Sequence, residues 1–391
     1  MRKLKKFTSM ALAAMVCAAV LGGCGGDKKK DAAAADTIKV GAAFELTGNV
    51  ANYGKSALTG LELAVEELNA KGGVNGKKFV LVQGDNKSEP SESGNTVTKL
   101  VTQDKVVAVV GPATSGCVAA STPITTANKI PHIAPCATAP GVTLENGKAK
   151  EYVFRACFID PFQGKVMAEF ADKTLKVKNI AILFDSSSDY SKGLTQVFGD
   201  TMESKGGKVV AKEAFLSKDV DFKAALTKIK ASNPDAIYVP AYYEEVSKII
   251  KQARELGITC PMLGVDGWES PKLIEIAGKD ALKDCYYVSA FSAQDTDPTV
   301  QNFIKAYKAK YQKDPDIFSM QGYNAGLILA DSIKRAGTTE GQKVAKAMAE
   351  TKDLQVAGGK ITFDANHDPI MSTLIISLEN GVATLKEKIS L

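Results

Sequence analysis

The sequence is poor in the residues that most enzymes and metal sites draw on. It has two histidines, His132 and His367, and a single tryptophan, Trp268. With so little imidazole, and no two of the seven cysteines spaced as Cys-x-x-Cys, a zinc site has little support. There is no Gly-x-Ser-x-Gly elbow, so nucleophilic hydrolysis lacks its most readable motif. His132 lies inside the apolar run IPHIAP, as a core histidine would, and His367 in DANHDP suits a turn. None of the 44 acidic residues sits in a recognisable acid–base motif. Excess charge is scarce too. Of the formal +5, four positive charges fall in the first ten residues, so the chain from residue 24 onward carries +1. That balance offers no electrostatic case for nucleic acid. These gaps argue against catalytic residues, a metal or a cofactor.

What is present fits a globular protein with room for two domains: 391 residues, 45% hydrophobic and 24% charged. MRKLKKFTSM is basic, and MALAAMVCAAVLGG is a short apolar core ending in small residues. Together, residues 1–23 read as a secretory signal peptide, too short for a convincing membrane span. No later run approaches that length. Leu21-Gly22-Gly23-Cys24 resembles the lipobox of bacterial lipoproteins, which implies cleavage before Cys24 and a lipid on its thiol. A plain leader with an incidental cysteine is the alternative. Residues 24–36, small, polar and of low complexity, read as a flexible tether. Beyond them, Cys117, Cys136, Cys157, Cys260 and Cys285 are odd in number, so internal disulfides would leave at least one free thiol. Scattered core or loop cysteines fit better.

From Thr37 onward, apolar runs alternate with amphipathic stretches. TIKVGAAF, KKFVLVQGD, VVAVVGP, IPHIAP, YVFRA, NIAILFD, GKVVAKEAF, PDAIYVPA, CPMLGVD and DCYYVSA read as strands separated by helices. The pattern predicts an α/β protein with parallel sheets covered on both faces, and its length suggests two lobes. Three helices are expected at about 299–312, 319–336 and 340–350, followed by short strands. In open parallel sheets, ligands sit beyond the carboxyl ends of the strands. The loops there are rich in hydroxyls, glycine and aromatics, as suits a small ligand, although ordinary turn chemistry would look similar.

TGNVANYGKSALTG, between the first strand and helix, looks like a phosphate loop. A Walker A loop needs four residues between its glycines, because its backbone amides must curl around the phosphates. Gly48 and Gly54 are separated by five. Together with the export signal, that spacing argues against a nucleotide.

KGGVNGKKFVLVQGDNKSEP, VVAVVGPATSG, IPHIAPCATAP, YVFRACFIDPFQG and FDSSSDYSKGL occur in an order that resembles the periplasmic leucine/isoleucine/valine-binding proteins. Those are the substrate-binding components of ABC transporters for branched-chain amino acids. The likeness runs from about Thr37 to the C-terminus. It implies a type I periplasmic binding protein fold, two Rossmann-like lobes joined by three hinge crossings. One lobe would be 37–155 with 289–366, the other 156–288 with 367–391.

The resemblance also implies site roles. The ligand's carboxylate would meet Ser115 at a helix start, with Cys136, Ala137 and Thr138, the cysteine through its backbone. Its ammonium would meet Asp266, where the family has a glutamate one methylene longer. Tyr190 and Tyr242 match tyrosines that approach the ligand's backbone. Tyr53, Trp268 and Phe318 would line the side-chain pocket. Partners implied are a small amino acid, an ABC permease and, through Cys24, a membrane surface. A sensor of the same fold, feeding a signalling receptor, is the alternative reading, as is a ligand of another small-carboxylate class.

Overall fold

The computed structural model describes residues 37–389. Two sheets organise them. The first has the order β2-β1-β3-β4-β7, with β1 Thr37–Phe44, β2 Lys78–Asp85, β3 Ala108–Val110, β4 His132–Ala134 and β7 Val153–Arg155. All its pairings are parallel. A small hairpin, β5 Leu144–Glu145 with β6 Lys148–Ala149, precedes β7. The second sheet has the order β16-β15-β12-β11-β10-β8-β9. Its parallel part comprises β8 Asn179–Asp185, β9 Lys208–Phe215, β10 Ala236–Tyr238, β11 Met262–Gly264 and β12 Cys285–Ser289. The hairpin β13 Leu354–Val356 with β14 Gly359–Ile361 stands apart, and β15 Thr373–Glu379 and β16 Val382–Ile389 then add antiparallel to β12. The central strands are short runs of Val, Ile, Ala and Leu with no exposed face, because helices cover both sides.

Helices α1 Ala51–Ala70, α2 Pro90–Thr102 and α3 Ser115–Ala127 follow β1, β2 and β3. Helix α4, Asp160–Glu169, leads into the second sheet. There α5 Asp189–Ser204, α6 Lys223–Ala231, α7 Tyr243–Glu255 and α8 Pro271–Ala277 follow β8 to β11. Helices α9 Pro298–Tyr311, α10 Ile317–Ala336 and α11 Gly341–Ala349 come next, close to the ranges the sequence suggests. Helix α10 returns to the first sheet and lies against α1. The approach is close because a Cβ on Gly60 would overlap the Ser319 carbonyl, and one on Gly322 that of Ala57. The chain therefore passes between the sheets three times, after Arg155, after Ser289 and between Ile361 and Thr373. Gly54 serves packing as well. It sits within the first turns of α1, where a Cβ would overlap the Glu45 main chain, which accounts for the glycine without a phosphate.

All five cysteines past residue 36 are free thiols. His132 is fully buried in β4; burial pulls it down to about 4, and its ring nitrogens meet the Gly111 carbonyl at 2.6 Å and the Thr125 hydroxyl at 3.2 Å. No helix among the described residues is long and apolar enough to cross a membrane. The leader, Cys24 and the tether lie outside the described residues.

Candidate functional site

The carboxyl ends of the strands in the two sheets face one another, and the loops that follow them meet. Between them lies a small cavity of about 10 Å³, lined by Tyr53, Ala113, Thr114, Ser115, Cys136, Tyr190, Tyr242, Asp266, Gly267 and Phe318.

On the first-sheet side, the wall is the start of α3. Its N-cap residue, Thr114, makes no capping bond, because its hydroxyl donates to Glu45 at 2.7 Å. Glu45, fully buried at the end of β1, also accepts from the N–H groups of Ala113 at 2.9 Å and Thr114 at 3.1 Å. The carboxylate thereby fixes the loop that presents Ser115. The hydroxyl of Ser115 accepts from Ala139 N–H at 3.2 Å and keeps its own proton available. A helix N-terminus with a free hydroxyl favours an anion.

On the second-sheet side the central group is Asp266, just after β11 and buried. Its Oδ1 accepts from the Tyr190 hydroxyl at 2.6 Å, Gly267 N–H at 3.0 Å and Gln163 Nε2 at 3.2 Å. Its Oδ2 takes none of these donors. Burial pushes the carboxyl up to about 6, although the donors pull the other way. Immediately behind it, at the first turn of α4, Asp160 is fully buried, and its Oδ1 accepts from the same Gln163 Nε2 at 2.9 Å. Burial pushes Asp160 up to about 7; the Thr138 hydroxyl eases this and the Asp266 charge adds to it.

Aromatic rings close the space between these walls. Tyr53 meets Phe318 at 4.4 Å between ring centroids, and packs edge-on to Tyr242 at 5.7 Å and Tyr243 at 5.2 Å. Tyr190 and Tyr242 stack at 5.0 Å. Such pairs each add about 0.5–1.5 kcal/mol beyond area burial. The Tyr53 hydroxyl donates to the Gly267 carbonyl and accepts from Tyr243 N–H at 3.2 Å. Further contacts span the gap: Asn52 Nδ2 to Ser270 Oγ at 3.0 Å, the Tyr243 hydroxyl to the Asn49 carbonyl at 2.7 Å, and Lys218 to Glu89 at 2.6 Å. The two walls are thus in direct contact around the cavity.

Residues 37–382 match the family model described as periplasmic binding protein. The chain belongs to that family. It is 32% identical to the leucine-, isoleucine-, valine-, threonine- and alanine-binding protein of Pseudomonas aeruginosa, over 86% of this chain and 88% of that one. Among solved structures, the branched-chain amino acid transporter substrate-binding protein of Streptococcus pneumoniae, in complex with isoleucine, has a TM-score of 0.85. The two are 38% identical, over 90% of this chain and 99% of that one. The leucine-binding protein of Thermotoga maritima also gives a TM-score of 0.85, at 35% identity, over 90% of this chain and 99% of that one. These relatives are binding proteins, not enzymes, and share the type I fold.

Within this periplasmic binding protein, seven of the residues singled out from sequence line the cavity: Tyr53, Ser115, Cys136, Tyr190, Tyr242, Asp266 and Phe318. Three do not. Trp268 turns away into the second-sheet core, flat against Gly264, where a Cβ would overlap its indole, and its Nε1–H donates to the Val239 carbonyl at 2.8 Å. Ala137 gives its carbonyl to Arg155 at 3.0 Å, and Thr138 sits beside Asp160 behind the wall. The sequence places Ala113 and Gly267, which present backbone, and Glu45, which works from behind, in the loops beyond the strand ends without giving them a role, and it does not single out Asp160 and Gln163. A charged residue ending a buried run, as in AAFEL, was the one available signal.

Proposed function

We propose that this chain is the lipid-anchored, extracytoplasmic substrate-binding protein of an ABC importer, taking an apolar, branched-chain amino acid between two hinged lobes. The observation that carries the reading is the polarity of the cavity. A helix N-terminus with Ser115 forms one wall, and a buried aspartate with an uncommitted oxygen forms the other. A zwitterion fits that arrangement, with its carboxylate toward Ser115 and the backbone at Cys136, and its ammonium toward Asp266. Tyr190 and Tyr242 flank the ligand's backbone, and Tyr53 and Phe318 offer an apolar wall to its side chain. The ligands that the relatives are named for, leucine and isoleucine among them, are of this class.

The mechanism needs no chemistry. Each sheet with its helices acts as a lobe, and the three crossings act as hinges. Because the ligand's two charged ends bind different walls, it favours the closed arrangement over the open one and shifts the population toward it. The closed form then docks on a membrane permease. The basic start, apolar core and Gly-Gly-Cys order of the leader support the anchor at Cys24. Cys24→Ser should move the protein from the membrane fraction to the soluble fraction.

The test of the ligand class is a thermal-shift panel of amino acids and organic acids. At a thousandfold excess over Kd, a true ligand stabilises the fold by about 4 kcal/mol. A shift with leucine, isoleucine or valine supports the reading; no shift with any of the three, alongside one from another class, overturns it.

A further inference from the structure

The ammonium end of the cleft holds two carboxylates where the ligand offers one cation. Gln163 Nε2 bridges Asp160 Oδ1 and Asp266 Oδ1 at 2.9 and 3.2 Å, so the acids stand on either side of one nitrogen. Asp160 Oδ2 and the Tyr238 hydroxyl are buried and make no hydrogen bond. The charged and titratable groups around Asp160 are Asp266, Arg155, Cys157, Tyr190, Tyr238 and Tyr242. Burial pushes the thiol and the phenols up, which keeps them neutral. Arg155 is the one buried lysine or arginine among the described residues, and it is already committed. Its guanidinium pairs with Asp368 at 2.6 Å and donates to the carbonyls of Ala137 and Ala139 and to the Thr143 hydroxyl. The Arg155 charge still pulls Asp160 down, as the last of the influences on that acid, and no other buried lysine or arginine among the described residues faces the pair.

We propose that Asp160 is a positioning residue of the ammonium subsite: the Asp160–Gln163–Asp266 unit restricts the ligand to compounds that bring a cationic amine, and releases a proton when one enters. The proposal rests on the functional reading above. Two buried carboxylates this close do not both ionise unless a positive charge joins them. Without ligand the unit holds a proton near neutral pH, in keeping with the upward shift of both acids. The ligand's ammonium takes over the proton's role, and the proton leaves to solvent. A carboxylic acid without an amine brings only a further negative charge and is rejected.

The test is calorimetry on the full chain in detergent, with leucine, 4-methylpentanoate (leucine without its amine) and benzoate as probes at pH 6, 7 and 8. For one group titrating near 7, leucine should bind about tenfold more tightly at pH 8 than at pH 6. The apparent enthalpy at pH 7 should depend on the buffer's ionisation enthalpy, and the two acids should not bind. Asp160→Asn should bind leucine more weakly at pH 8 and flatten the pH dependence to under threefold, because Asp266 loses its negative neighbour. Should that variant fail to fold, the buffer dependence of the native protein decides alone. A pH-independent affinity with no proton release, tight binding of benzoate, or a native pH profile in Asp160→Asn overturns the proposal while amino-acid binding stands. Failure of every aliphatic amino acid at all three pH values overturns the functional reading, and this proposal with it.

Discussion

The hydroxyl of Tyr53, on the helix after the first strand of one sheet, donates to the carbonyl of Gly267, in the turn after a strand of the other. The same oxygen accepts from Tyr243 N–H at 3.2 Å, so one phenol ties both halves of the cleft together. Tyr53→Phe keeps the ring contacts and removes both bonds. Each buried partner left unsatisfied costs about 1–3 kcal/mol. If these bonds belong to the closed state, the loss of about 2 kcal/mol or more falls on ligand affinity, weakening it about thirtyfold or more, since about 1.4 kcal/mol is a factor of ten. The melting temperature without ligand should move less. Calorimetry and thermal melts on the same variant separate the two effects.

Asp266 provides the clearest single-residue prediction. Removing one member of a buried charge pair costs about 3–5 kcal/mol. Asp266→Ala should therefore weaken amino-acid binding by more than a hundredfold, while the circular dichroism spectrum stays native. Undiminished affinity would remove the ammonium role.

The pH dependence of stability follows from the same acids. Asp160 and Asp266 are pushed by burial up to about 7 and about 6, and Glu269 up to about 8, with the nearby Asp316 adding to the last. Their folded values lie above the unfolded ones, so the native state binds more protons through this range. Stability from these groups is full below the ordinary carboxylate range and is lost as pH rises through about 6 to 8. His132, pulled down to about 4, acts in the opposite sense, but only below its unfolded value near 6.5. Between pH 6.5 and 8, then, the ligand-free melting temperature should fall, and the increment from added leucine should grow. Melts at pH 6.5, 7.2 and 8 check both trends.

Trp268 gives an optical test. Its indole lies flat on Gly264 and donates to the Val239 carbonyl, away from the cavity. Its emission should be blue-shifted and poorly quenched by acrylamide, and should change little with a ligand that calorimetry shows to bind. A large ligand-dependent shift would put the ring back in the cleft.

The fold was largely readable because its determinants are local. Apolar runs such as VVAVVG and NIAILFD are short, β-branched and closed by glycine, proline or aspartate, and they became strands near the expected bounds. The place of Tyr53, Ser115 and Asp266 at the cavity was readable because each follows the carboxyl end of a strand, and the family resemblance suggested the roles proposed for them. What stayed hidden depends on long-range packing. Nothing local distinguishes Asp160, buried beside Asp266, from the many solvated helix-start aspartates, since its partner lies 106 positions away in the chain. Glu45 reads as a loop acid until the amides of Ala113 and Thr114 are seen to close on it. The family resemblance implies a pocket position for Trp268, but the space above Gly264 decides where the ring goes.

The most direct test of the whole account is a calorimetric titration of the native protein with leucine, isoleucine and valine, each paired with its amine-free analogue, repeated on Asp266→Ala. The account predicts that at least one of the amino acids binds with a micromolar or tighter Kd, that no analogue does, and that the variant loses binding. Binding of the analogues as tight as that of the amino acids, or full affinity in the variant, would contradict it.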